Sequence, residues 1–368
     1  MRFLERERAV AAKLLPGLDE SLQAVPAGEL EDPAGPGIGL FRDGGGPGLV
    51  VPASYGGRGA SAVEAVRVQR ALAGRSPSLA ATCAVHHFSV AVLLGLAAVD
   101  DGGVESYLVQ GLAGGNSLVA CDFPYEGPDG AVLAPSMTAE VTPDGVRVTG
   151  ATCVGALARS MDMLVAGVTI ERTDGGGRES AVVLVPAESE GVNVDGTDGE
   201  RVTLDDVVVA PEFLVRASAL DKPLDSVLTA GFALYQLLAT VAHVGAVDAL
   251  VERVLRDGGV PESERIALLV ETEGAMSAVE GVALRIDGGD PDDATLAHAL
   301  YVRYGVQDAL ARIVPRAVEL LGRLDTADAD EVAHLAGVAD ALALCAPTRS
   351  RMTGPLAAYL LDAPLTLT

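Results

Sequence analysis

The chain has 368 residues, 49% of them hydrophobic, with a mean hydropathy of +0.34. That length and composition exclude a disordered chain and suffice for two or three domains with substantial cores. The formal net charge is −25 and the pI about 4.4, and Lys13 and Lys222 are the only lysines. A nucleic-acid binder needs clustered cations, and so does a protein that docks on an anionic membrane surface, so neither partner is expected.

No contiguous apolar run reaches the ~18 residues of a membrane-spanning helix. Met1–Arg8 is charged and lacks the apolar core of a secretion signal, so a cytoplasmic protein is expected. Cys83, Cys121, Cys153 and Cys345 are widely spaced, with no Cys-x-x-Cys, and the histidines show no His-Glu-x-x-His. Neither a disulfide framework nor a metal site is expected.

Residues 1–116 read as helical. Arg2–Leu15 has apolar residues at helical spacing and ends at Pro16-Gly17. Gly35–Gly48 is dense in glycine and carries two prolines, so a loop is expected there. Ser61 with Glu64 forms a capping box that opens a helix over Ala62–Ala73. Pro77–Ala98 is another apolar helix, carrying His86 and His87.

From Ser117 to Val215 short β-rich runs alternate with turns. They are Leu118–Cys121, Ala131–Leu133, Thr138–Val141, Val146–Val148, Met163–Ile170, Ala181–Val185, Val202–Leu204 and Val207–Val209. Pro143-Asp144-Gly145 is a tight-turn signal. Such spacing predicts a small barrel or sandwich. After Arg216 the pattern is helical: Leu224–Asp257, Pro261–Ile286, Asp293–Leu324 with a kink at Pro315, and Asp330–Leu344. Long helices with short connections predict an up-down bundle.

Five features in this order resemble the acyl-CoA dehydrogenase superfamily over nearly the whole chain. The helix–barrel–bundle order is one, and the Val-Pro…Tyr-Gly-Gly pattern within Gly48–Ser61 is another. Asp122–Asp129 is similar to the family's Thr-Glu-Pro-x-x-Gly-Ser-Asp loop. Gly150–Asp162 resembles its Gly-x-Lys-x-Trp-Ile-Thr-Asn-Gly-x-x-Ala-Asp stretch. Asp205–Pro211 resembles the strand that closes the barrel.

The resemblance implies an α+β fold with an N-terminal helical domain over 1–116, a small β-barrel over 117–215 and a four-helix bundle over 216–368. It implies FAD held between barrel and bundle in a homodimer or homotetramer, and a glutamate base acting on a small acyl-thioester substrate. Phe123, Pro124, Gly127, Val154, Ala156 and Arg159 fall at the cofactor positions.

The departures lie where the chemistry should be. Val154 replaces the family's Trp and Ala156 its Thr, so the ring loses a stacking partner and a hydroxyl. The Arg-x-x-Phe-Gly turn is reduced to Arg253–Gly259 without the Phe. One family base position falls in Leu344–Thr348, which holds no acid. The other falls on Tyr235, followed by Gln236 in place of an Arg. Tyr235, His87 and Asp122 are the candidates to take over acid–base work, with His243 two turns beyond Tyr235.

Three readings follow. The main one is a flavin oxidoreductase acting on the CH–CH group of a CoA- or carrier-bound acyl chain. A cofactor-free descendant would bind a hydrophobic small molecule or catalyse isomerisation or cyclisation. A flavin monooxygenase of the same superfamily would dispense with the glutamate, which fits its absence.

Overall fold

Ser61 and Glu64 form the capping box that their spacing predicts. Ser61 Oγ accepts from the Glu64 N–H and Glu64 Oε2 from the Ser61 N–H, both at 3.2 Å, and the helix runs Ala62–Ala73. The computed structural model describes residues 2–98, 104–122, 132–195, 200–220, 223–289, 291–322 and 326–367.

The N-terminal helices are α1 (Glu5–Leu14), α2 (Leu18–Gln23), α3 (Ala27–Leu30), α4 (Gly37–Asp43), α5 (Ala62–Ala73), α6 (Pro77–Ala97) and α7 (Val104–Gly115). Helix α4 lies inside Gly35–Gly48, which composition assigns to a loop. Phe41 and Gly37 are buried there, so burial outweighs the low helix propensity of its glycines.

The strands are β1 (Val119–Cys121), β2 (Met137–Thr142), β3 (Gly145–Cys153), β4 (Met163–Glu171), β5 (Arg178–Pro186), β6 (Val192–Val194), β7 (Arg201–Val209) and β8 (Leu214–Arg216). They form one mixed sheet in the order β6-β7-β3-β2-β4-β5-β8, with β1 also on β4. The two short runs after Val202 are a single strand, carried through Asp206 at φ 53°. Val132 and Leu133 form a bend, not a strand, and Ala131 lies outside the described residues. Strands β6 and β8 have three residues each, too short to show a period.

Strands β1 and β2 both run parallel to β4 on the same side of it. β1 pairs with Met163–Val165 and β2 with Val168–Ile170, which leaves a gap opposite Ala166 and Gly167.

The C-terminal helices are α8 (Leu224–Arg256), α9 (Glu262–Asp287), α10 (Asp293–Leu321, with Pro315 inside it), α11 (Thr326–Asp340) and α12 (Arg349–Tyr359). Helices α6 and α8 are long and apolar enough to cross a membrane by composition, with 72% and 67% of the relevant window buried inside the protein. That burial is the pattern of core helices.

The chain divides into two compact units. A helical unit comprises Met1–Gly44, Ala60–Ala84 and Ala233–Arg349, and a sheet unit comprises Gly45–Gly59, Val85–Phe232 and Ser350–Thr368.

Candidate active site

In the sheet unit, Asp122 closes the gap between β1 and β2. Its Oδ1 accepts from the Gly167 N–H at 2.9 Å, and its Oδ2 from the Ser136 hydroxyl at 2.6 Å. The carboxylate therefore satisfies the β4 donor that neither strand reaches. Burial pushes the Asp122 carboxyl up to about 6, against 3.8 ordinarily, although both hydrogen bonds pull it down.

An acid raised on folding contributes stability below its unfolded value and loses it as pH climbs through its folded value. Asp122→Asn should remove that loss. The variant is expected to gain about 1–3 kcal/mol over wild type near pH 8 and nothing near pH 4, read from denaturant midpoints. An unchanged pH slope would exclude Asp122 as its source.

The neighbouring histidines differ in their settings. His86 Nδ1 accepts from the Val119 N–H at 3.0 Å, so its Nε2–H donates to the Pro47 carbonyl at 3.0 Å. His86 thus ties α6 to β1. His87 is 1% exposed, and its ring centroid is 5.4 Å from that of His86. Burial, with His86 beside it, holds His87 well below the ordinary imidazole range, so it is neutral.

Val154 is buried and its N–H donates to Glu200 O at 2.9 Å. A short 3₁₀ turn follows over Gly155–Arg159, with Ala156 half-buried and Arg159 exposed. Phe123, Pro124 and Gly127 lie outside the described residues.

In the helical unit the two segments on which the resemblance places its base come together. Tyr235, Gln236 and His243 are on α8, and the segment Cys345–Pro347 precedes α12. Gln236 Nε2 donates to the Ala346 carbonyl at 3.3 Å, and His243 Nε2 accepts from the Cys345 thiol at 3.2 Å. His243 Nδ1–H donates to the Val338 carbonyl at 2.6 Å. Burial, aided by the charge of Arg303, lowers the His243 pKa, while burial raises that of the Cys345 thiol. The pair is therefore a neutral imidazole and a neutral thiol. Tyr235, His243 and Cys345 are each partly open, while Gln236 is buried.

Arg303 on α10 holds this group together. Its Nη1 donates to Gln236 Oε1 at 2.5 Å and to the Ala346 carbonyl at 3.0 Å, and its Nη2 to the Cys345 carbonyl. Its guanidinium lies 5.5 Å from the centroid of the Tyr304 ring, and the Tyr304 hydroxyl donates to the Pro347 carbonyl at 2.9 Å. Position 236 is where the resemblance places an Arg. Here Gln236 takes that place and α10 supplies the guanidinium. The sequence reading missed Arg303, but a signal existed. It lies on the stripe of Leu296, Ala299, Leu300, Val306 and Leu310, all buried, and a cation on an apolar stripe marks a special site.

The site is therefore a buried cation, a phenol and a neutral imidazole–thiol pair, on segments where the resemblance expects a carboxylate. No family model matches the chain. The isobutylamine N-hydroxylase of Streptomyces viridifaciens is 35% identical over 378 residues, covering 99% of this chain and all of the relative. The chain belongs with it to the acyl-CoA dehydrogenase superfamily.

Solved structures share the fold. KijD3 in complex with FMN and a dTDP-linked amino-keto sugar has a TM-score of 0.76 at 17% identity, covering 97% of this chain and 94% of that one. The nitrososynthase of Micromonospora carbonacea var. africana has 0.74 at 19%, covering 97% and 96%. Indole-bound TdsC from Paenibacillus sp. A11-2 has 0.73 at 16%, covering 100% and 99%.

The expectation of acyl-thioester dehydrogenation is overturned. The relative that matches along the full length is an N-hydroxylase, and the solved structures that share the fold include a nitrososynthase.

Proposed function

We propose that this protein is a flavin-dependent monooxygenase that N-hydroxylates a small aliphatic amine. The observation that carries this reading is the 35% identity to isobutylamine N-hydroxylase along essentially the whole chain. The missing carboxylate supports it, because transfer of oxygen to nitrogen requires no α-carbon acid–base step.

The residues described suit a flavin held without stacking. Val154 offers an apolar wall, and the first turn of the 3₁₀ segment leaves the Gly155 and Ala156 N–H groups without intrahelical partners. Those donors would take over from the lost hydroxyl at the polar edge of the ring. Arg159 is exposed and would meet the cofactor's anionic portion. A bound reduced flavin would supply the activation of dioxygen.

The chain's own task is to bind the amine and exclude competing chemistry. Tyr235, the His243–Cys345 pair and the segment held by Arg303 would line the amine site within the helical unit. In the same reading the three segments 1–116, 117–215 and 216–368 act as the family's helical, barrel and bundle domains.

The test supplies the protein with FMN or FAD, a flavin reductase, NADH and isobutylamine under isotopically heavy dioxygen. The expected product is the hydroxylamine carrying one heavy oxygen atom. Flavin oxidation that yields only hydrogen peroxide, with every amine tried left unchanged, would refute the proposal.

A further inference from the structure

We infer that Arg303 makes the site around Tyr235 and Cys345 selective for uncharged ligands, so that an amine enters as its free base and the ammonium form is turned away. This rests on the amine-hydroxylating reading for the identity of the natural ligand, but not for the discrimination itself.

The charge of Arg303 is not balanced by its surroundings. Arg303 is 2% exposed, yet it meets two backbone carbonyls, one amide oxygen and the face of Tyr304. No carboxylate contacts it among the described residues, and its Nε–H has no hydrogen-bond partner there. Elsewhere in the same unit a buried guanidinium is treated differently. Arg70 meets Asp248, Glu273 and Glu7. A buried cation compensated only by dipoles leaves a positive potential around it, because little solvent screens it.

The groups nearest Arg303 do not cancel this potential. Burial raises the Cys345 thiol and pushes the Tyr304 phenol up to about 12, so both stay neutral. Tyr235 is a phenol on the adjacent turn of α8. Arg349 lies against the same Tyr304 ring at 5.6 Å and is paired with Asp308, which answers that second cation locally. His243 is the group best placed to take up another positive charge, and burial together with Arg303 holds it neutral. A bound alkylammonium would face the same penalty.

The consequence suits the chemistry. An ammonium nitrogen has no lone pair with which to attack an electrophilic oxygen, and a free amine does. The ammonium gives its proton to solvent before it binds, and no group in this cluster needs to accept one. A carboxylate in the family position would do the opposite, holding the amine as an unreactive ion pair.

The test compares choline with dimethylbutanol, which has the same shape with carbon in place of the charged nitrogen. Binding to the flavin-loaded protein is measured by calorimetry without reductant, so no turnover is needed. Wild type is expected to bind the alcohol at least about tenfold more tightly, since tenfold corresponds to the modest repulsion of a partly screened charge.

Two variants remove the charge differently. Arg303→Gln deletes it. Gln236→Glu leaves the guanidinium in place and sets a carboxylate on the Nη1 that Gln236 Oε1 already accepts from. Both should bring the preference close to one. Equal binding of the two ligands by wild type, or a preference that persists in Gln236→Glu, would overturn the assignment. A preserved preference in wild type without hydroxylation of any amine would instead count against the proposed reaction alone.

Discussion

Asp248→Ala is expected to destabilise the protein by about 3–5 kcal/mol, the cost of leaving a buried ion without its partner. Asp248 and Arg70 are both fully buried. Arg70 Nε and Nη2 donate to the two carboxylate oxygens at 2.7 and 2.9 Å, a bidentate pair. Glu273 and Glu7 complete the set at 2.8 and 3.3 Å. Burial works against the Arg70 charge, and Asp248 together with Glu273 more than offsets it, holding the guanidinium above its ordinary range.

Truncating Asp248 leaves the cation beside the half-exposed Glu273 and the more distant Glu7. Equilibrium denaturation checks the loss, and a change below about 1 kcal/mol, the scale of a surface pair, would show that the network is solvated. Arg70→Met in the Asp248→Leu background should recover part of the stability, because apolar replacement of both partners removes the unpaired guanidinium and leaves buried Glu7 with Arg6 alone.

Gly245→Ala is the second large effect. A Cβ at Gly245 on α8 would lie 2.1 Å from Ala73 Cβ and 2.5 Å from the Ala73 carbonyl carbon at the end of α5. The obstruction is largely backbone, so no rotamer relieves it and the helices must part. Overpacking of this kind costs about 1–3 kcal/mol and occasionally more, and the upper end is expected here. Because Tyr235, Gln236 and His243 share α8, the shift should also weaken ligand binding at the candidate site. Denaturant midpoints and ligand affinity measured on the same samples check both parts. Wild-type stability in the variant would mean that α5 and α8 do not approach this closely.

Much of the fold is readable from local patterns. The capping box at Ser61, the long apolar helices α6 and α8, and the hairpin at Pro143-Asp144 depend on residues near one another in sequence, where spacing fixes which groups can meet. Helix α4 is not readable, because its glycines disfavour a helix and what outweighs them is the burial of Phe41 in the folded chain. Asp122 reads as a candidate acid on a functional loop. Its place between β1 and β2 is a matter of sheet register, and no local pattern reports that. The chemistry is less legible still. Leu344–Thr348 and Tyr235-Gln236 read as two separate positions without an acid, and the guanidinium that joins them comes from a third helix.

The sequence by itself determined the superfamily and the succession of a helical segment, a β-rich segment and a second helical segment. These are matters of residue identity and short-range periodicity. Only the tertiary structure decided that Gln236 and Cys345–Pro347 adjoin, that Arg303 is buried between them with no carboxylate partner among the described residues, and that His243 and Cys345 form a neutral pair. Burial and charge compensation depend on groups more than forty residues apart along the chain, and desolvation is a property of the packed interior that no stretch of sequence carries alone.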